Sequence, residues 1–272
     1  MSFARRSHKT FLFSLVLFVF ATRVTAEEKA SVTIYLDENV PPYSYRQNGQ
    51  LVGIYPDLIK NIANVIPSFN VNIEPIPWTR GLALMEYGQG FALSPIYHLP
   101  DERPYIGAYS KPLLGEEVAI FCNRSVSERL DKPVMFPRSF HGLYIAVHKG
   151  YHLGNDTFWQ SVREGRIKAV VSGKDPRANL QMLHAKRVDC YLHIQLSVTW
   201  TANEMLQQGI FENLDWLVLV NTLDEKSAFV GFTSNTEKFP FRDDFVEMFN
   251  QELVKQQENG LLDKIESLYK YQ

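Results

Sequence analysis

The stretch "IPWTRGLALMEYGQGFALSPIYHLPDERPYIGAYSKPL" (Ile76–Leu113) decides how the chain is read. "RGLALMEYG" (Arg80–Gly88) is an apolar-rich segment closed by glycine, the pattern of a short helix and its end. "FALSPIY" (Phe91–Tyr97) is a short apolar run bounded by turn residues, which reads as a strand. A loop follows in which Arg103 stands after Asp101 and Glu102 and before Pro104. Lone charges in loops are usually solvated. Whether Arg103 is a solvated charge or is aimed at something depends on what surrounds it.

Upstream, "SVTIYLD" (Ser31–Asp37) is a β-branched run ending on an acid. "PPYSY" (Pro41–Tyr45) is loop, because its prolines lack donors and fix φ. Asn48-Gly49 is a turn signal. "YPDLIKNIANVI" carries Leu58, Ile59, Ile62, Ala63 and Ile66 at helical spacing, with Pro56 suited to a first turn. "NVNIEPIP" (Asn70–Pro77) is a strand. The first third therefore alternates strand, helix, strand, helix, strand. That order predicts a mostly parallel sheet with helices on its faces.

Downstream the pattern repeats. Strands are expected at "GEEVAIFCNR", "LYIAVHKG", "IKAVVSG" and "VDCYLHI", and helices at "DTFWQSVREG" and "PRANLQMLHAKR". Two further strands, "WLVLVN" and "SAFVGFTS", precede C-terminal helices that break at Gly260. The fold class is α/β, in two similar units. The boundaries fall near Gly115–Glu117 and Asp224–Ser227, both strand-like, as suits a hinge that moves as a unit.

The first 26 residues read as a cleaved secretory leader: Arg5, Arg6 and Lys9, then the 11-residue apolar run Phe11–Ala21, then "VTA" before Glu27. That run is too short to cross a hydrocarbon core, which needs about 20 residues. Losing the leader moves the formal net charge from −2 to −6, which argues against nucleic acid or an anionic membrane surface as a partner. The mature chain is expected to be exported to the periplasm as a monomer. Its two cysteines, Cys122 and Cys190, could be bridged after export or remain free, and the sequence does not decide. His148 and His152 have i,i+4 spacing, but Gly150 between them makes a helix there improbable, so no metal site is expected. No cofactor is expected either.

Three stretches, taken in order, resemble the family 3 extracellular solute-binding proteins, the amino-acid-binding components of ABC importers. "PPYSYRQNGQLVGIYPDLIKNIA" is similar to the family's opening. The Ile76–Leu113 stretch is similar to its aromatic…T-x-E-R…S-x-P block, and "ENGLLDKIESLYKY" to its C-terminal helix. The resemblance implies a two-lobed clamp with two hinge crossover strands, lobe 1 being 27–117 plus 226–272 and lobe 2 being 118–225. Ligand would lie between the lobes at the carboxyl ends of the strands.

By that resemblance Arg103 takes a ligand carboxylate, which its planar guanidinium can hold bidentately. Trp78 and Tyr43 supply aromatic walls. Tyr97 and His98 lie in a stretch that faces the cleft, and Asp37 either meets a ligand cation or caps a turn. From lobe 2, the "VHKGYH" turn with His148 and the "DCYLHIQ" strand with His193 are expected to reach the cleft. The acid that pairs with an α-ammonium in amino-acid binders would fall at Ile194, and no carboxylate is there. Pro100 also replaces the threonine of T-x-E-R. Either another acid, such as Asp37, substitutes, or the solute is not an ordinary amino acid. The expected activity is binding of a small carboxylated, amino-acid-like solute for an ABC permease. The alternatives are a ligand-sensing clamp for a membrane receptor and a dehydratase-like enzyme using the same cleft.

Overall fold

A computed structural model describes residues 29–172 and 175–270, so the leader expected over residues 1–26 lies outside the described residues. The first half opens with β1 (Ala30–Asp37), followed by a small antiparallel sheet of β2 (Asn39–Val40), β3 (Ser44–Gln47) and β4 (Gln50–Val52). The β3–β4 turn has both Asn48 and Gly49 at positive φ (51° and 80°), the geometry that an Asn-Gly pair accepts most readily. Next come α1 (Ile54–Ala63), β5 (Phe69–Ile76), α2 (Trp78–Glu86), β6 (Ala92–Ile96) and β7 (Ile106–Tyr109). Helix α1 buries Ile54, Tyr55, Leu58, Ile59 and Ile62, the stripe its spacing predicts.

The second half holds β8 (Leu114–Asn123), α3 (Arg124–Ser127), β9 (Tyr144–His148), α4 (Asp156–Arg163), β10 (Lys168–Ser172), α5 (Pro176–His184), β11 (Cys190–Ile194) and α6 (Gln195–Gln207). The chain then returns along β12 (Leu217–Thr233) and ends with α7 (Arg242–Glu258) and α8 (Leu261–Lys270).

Strand pairing runs β10-β9-β11-β8-β12-β6-β1-β5, with β7 on β12. Strand β1 pairs parallel with β5 and β6, and β9 pairs parallel with β10 and β11. The long strands β8 and β12 run antiparallel to each other and to their other partners. Among the described residues, the strand pairing between the β1/β5/β6 half and the β9/β10/β11 half runs through these two strands. This is a two-lobed α/β clamp with two crossover strands, called lobe 1 and lobe 2 in chain order. The expected separate strands "WLVLVN" and "SAFVGFTS" are one 17-residue strand, β12. Its register slips between Leu219 and Asn221 and between Thr222 and Glu225, where the strand passes between lobes. Bulges with polar residues mark that passage, which is why the hydrophobic pattern reads as broken.

Lobe 1 is packed around phenylalanines: Phe245 meets Phe69 at 5.1 Å and Phe91 at 5.2 Å between ring centroids. Helix α8 is tied to the start of α1, where the Tyr269 hydroxyl donates to Asp57 and accepts from the Gly53 amide. In lobe 2, Val198, Ala202 and Met205 of α6 and Leu180 and Leu183 of α5 share a buried cluster with Tyr191 of β11. This lobe also carries a disulfide between Cys122 on β8 and Cys190 on β11, residues directly opposite in the ladder.

Candidate functional site: the interlobe cleft

The carboxyl ends of the parallel strands of both lobes meet. In lobe 1, β1 ends on Asp37, β5 leads into Trp78 at the start of α2, and β6 leads into Tyr97. In lobe 2, β9 ends on His148 and leads into the turn Lys149–His152, while β11 carries His193 and ends on Ile194. Such strand ends are where open α/β sheets place ligands, because helix N-termini and loop backbones converge there.

Arg103 is only 4% exposed. Its Nη2 donates to the Gly150 carbonyl of lobe 2 at 2.8 Å, and its guanidinium carbon lies 5.7 Å from the Trp78 ring centroid. Its Nη1 is buried with no hydrogen-bond partner among the described residues, and so is Trp78 Nε1. Burial lowers the arginine's pKa, opposed by neighbouring tyrosines and Glu102. It stays charged, because guanidinium does not lose its proton in proteins. Leaving such a donor unpaired costs about 1–3 kcal/mol or more, so the arginine is not a solvated loop charge.

Two buried carboxylates share the cleft. Asp37 accepts from the Tyr151 hydroxyl and, at 3.1 Å, from the Asn39 amide. Burial nevertheless pushes its pKa up to about 7. Glu116, on crossover strand β8, accepts from the hydroxyls of both Tyr55 and Tyr97. Burial also raises it to about 7, against the pull of those two donors. Asp37 and Glu116, with Val40, Trp78, Pro95, Tyr97, Tyr151 and Ile194, enclose a cavity of about 20 Å³.

The lobe 2 side is neutral. His148 lies 3.9 Å from the Tyr151 ring and is held down to about 4 by burial. His193 is fully buried, 5.6 Å from Tyr151, and neither ring nitrogen has a hydrogen-bond partner among the described residues. Burial, and then the neighbouring His148, hold its pKa well below the usual histidine value.

The structure thus brings together Asp37, Trp78, Tyr97, Arg103, His148 and His193. Tyr43 is buried and stacks on Tyr55 at 5.6 Å, which in turn bonds Glu116. It also lines a larger hollow of about 470 Å³ with Glu117, Gln195, Thr199 and Glu266. That hollow is lined by neither Arg103 nor Asp37, and its charged residues, Glu117 and Glu266, are both acids, so it offers a carboxylate no cation. His98 is not brought to the cleft: it is exposed and packs on Tyr109 at 4.6 Å. His148 and His152 separate, His152 lying against Trp159 and Glu102. Among the described residues no three His, Cys, Asp or Glu side chains gather as a metal site. Tyr151, Glu116 and Tyr55 were not singled out from sequence. Glu116 had one signal, an acid at an alternating position of an apolar strand.

The sequence profile of the bacterial extracellular solute-binding proteins, family 3, matches residues 32–271. The chain belongs to that family. Solved structures agree on the fold. An ancestral arginine-binding protein bound to arginine superposes with a TM-score of 0.69 at 15% identity, covering 89% of this chain and 99% of that one. A structure from work on glutathione import via GshT and the cystine ABC importer TcyBC of Streptococcus mutans gives 0.68 at 17%, covering 89% and 95%. A histidine kinase sensor domain with similarity to periplasmic binding proteins gives 0.68 at 18%, covering 89% and 96%. No curated protein matches the chain in sequence. Among the described residues no helix is long and apolar enough to cross a membrane.

Proposed function

We propose that this family 3 member is an exported, monomeric clamp that closes lobes 27–117 plus 226–272 and 118–225 on a small carboxylated solute and releases it unchanged. The observation that carries this reading is Arg103: buried, stacked near Trp78, with one guanidinium nitrogen unpartnered in a cleft shared with two carboxylates. Arg103 takes the solute carboxylate. Asp37 accepts from the solute's donor group, standing in for the acid that Ile194 is not. Trp78 and Tyr97 wall the solute from lobe 1, with Tyr43 behind them, and His148 and His193 face it from lobe 2. Delivery to an ABC importer is the first reading of the output, supported by the importer relative in Streptococcus mutans. A membrane sensor is the second, supported by the histidine kinase sensor domain.

Arg103→Ala tests the site. Two charge-assisted hydrogen bonds at about 1.5–3 kcal/mol each predict a loss of about 100-fold or more in affinity by calorimetry, with the circular dichroism spectrum unchanged. Unchanged affinity would overturn the assignment. Mass spectrometry of solute recovered after incubation checks the binding-only reading, and a dehydrated product would replace it with the enzyme.

A further inference from the structure

Three consecutive residues of the turn after β9 reach across the cleft. The Gly150 carbonyl accepts from Arg103 Nη2 at 2.8 Å. The Tyr151 hydroxyl donates to Asp37 Oδ2. His152 Nδ1 lies 2.8 Å from Glu102 Oε2. The backbone is shaped for this: Gly150 and His152 both have positive φ (80° and 58°), a region side-chain-bearing residues enter rarely. The absence of a Cβ at Gly150 lets the turn press on Trp78 Nε1 and Leu82.

Between those contacts the Tyr151 ring packs against three other rings. It is inclined by 32° to His148 and by 28° to His193, and meets Trp78 edge-on at 85° and 5.6 Å. The space left beside it, about 20 Å³, is room for about one water. An acceptor on Arg103, a flat ring between Trp78 and two neutral imidazoles, and a donor on Asp37 are thus supplied by the protein itself. Those are the residues to which the proposed function assigns the solute, and no amino-acid-sized molecule fits there while Tyr151 remains.

We propose that Gly150–His152 is a built-in occupant of the cleft, and that the solute which displaces it is a planar aromatic acid carrying a hydrogen-bond donor on the far side of its ring from the carboxylate. The inference rests on the carboxylate reading of Arg103 and deepens it. The two neutral imidazoles suit a ring and a polar edge. An α-ammonium group placed against this side of the cleft would meet no counter-charge at Ile194, whereas the donor that reaches Asp37 can be a neutral hydroxyl, as that of Tyr151 is. Solute and turn compete, so the observed affinity is the intrinsic one reduced by the fraction of molecules whose turn has swung clear.

The test is calorimetric titration of the native chain, Tyr151→Phe and Tyr151→Ala with 3-(4-hydroxyphenyl)propanoate, 3-phenylpropanoate and L-arginine. The hydroxylated acid is expected to bind the native chain about tenfold or more tightly than the unsubstituted acid, and more tightly than L-arginine. Tyr151→Phe keeps the ring and removes only the bond to Asp37, so it should fold as the native chain does and bind the hydroxylated acid several-fold more tightly. Equal affinity for the two acids, preference for L-arginine, no binding of the hydroxylated acid to any of the three chains, or Tyr151→Phe behaving as native would each overturn the proposal. Arg103→Ala separates the two readings. If it abolishes binding while Tyr151→Phe changes nothing, only the built-in occupant fails. If it changes nothing, the carboxylate reading fails.

Discussion

The two faces of the cleft are built from different chemistry. Lobe 1 contributes ionisable groups that are already engaged: Asp37 to Tyr151, Glu116 to two tyrosines, Arg103 to Gly150. Lobe 2 contributes neutral groups, with His148 and His193 held uncharged by burial and Ile194 contributing only apolar surface. The lobes differ inside as well. Lobe 1 is held by a phenylalanine cluster, whereas lobe 2 places Ser197 and Thr201 of α6 fully buried with no hydrogen-bond partner for their hydroxyls among the described residues. Unpaired buried hydroxyls cost free energy, and the Cys122–Cys190 bridge lies in this lobe. A half with one arginine and two buried carboxyl groups faces a half of neutral groups and a turn, so the two lobes offer a solute different chemistry.

The largest effect expected is on that bridge. It closes a loop of 68 residues, for which chain entropy gives about 4 kcal/mol, within a usual range of about 2–4. Replacing both cysteines with alanine should lower the denaturation free energy by that order. Hydrogen exchange locates the loss: amides of β9, β10 and β11 should exchange faster while those of β1 and β5 hold. Uniform loosening of both lobes would break the comparison.

The two faces should also respond to pH in opposite senses. Asp37 keeps its proton up to about 7 in the folded protein, against about 3.9 when unfolded. Its contribution to stability is therefore full below about pH 4 and lost as pH rises through 7. His148 behaves conversely. Its folded value of about 4 lies below the unfolded value of about 6.5, so its contribution is present above pH 6.5 and lost as pH falls toward 4. Between about pH 4.5 and 6.5 each group changes stability by about 1.4 kcal/mol per pH unit, with opposite sign. Asp37→Asn should gain stability relative to the native chain as pH rises across that window, and His148→Gln should lose it. Urea titrations at several pH values that run parallel for native and variants would dispose of both assignments.

Much of this arrangement could be read before the structure, and the missing parts share a cause. The parallel β5-β1-β6 core follows from the alternation of strand and helix patterns, whereas Trp78 as a wall came only from the family resemblance. That Arg103 faces the cleft came from the motif around it. Nothing in "VHKGYH" says that the Tyr151 ring reaches Asp37, 114 residues away in sequence. Glu116 and Glu117 are adjacent, and strand alternation buries only one of them; which one depends on a register set by β12. His98 and Tyr97 pose the same problem: neighbours on extended chain point to opposite sides, and Tyr97 took the inner one. Helix α6 carries little sequence signal, because its inward face, Ser197, Val198, Thr201, Ala202 and Met205, has helical spacing but is only partly apolar.

The smallest effect concerns how tightly the turn of lobe 2 is pressed onto lobe 1, and two glycines isolate it. Gly142 and Gly150 have nearly the same φ, 85° and 80°. A Cβ at Gly142 would meet nothing within 4 Å, whereas one at Gly150 would lie 2.9 Å from Leu82 Cδ1 and 3.0 Å from Trp78 Nε1. Gly142→Ala therefore measures the backbone cost alone, about 1–2 kcal/mol for a side chain in left-handed conformation. Gly150→Ala adds crowding against lobe 1, relieved only if the turn lifts. The difference between the two denaturation free energies, expected at about 1 kcal/mol, is then a measure of lobe-to-lobe contact rather than of strain. Lifting the turn also withdraws the Gly150 carbonyl from Arg103 and the Tyr151 hydroxyl from Asp37. Gly150→Ala should therefore bind 3-(4-hydroxyphenyl)propanoate more tightly than Gly142→Ala does, even though it is the less stable of the two. A Gly150→Ala chain no less stable than Gly142→Ala would mean that the turn already stands clear of Trp78 in solution.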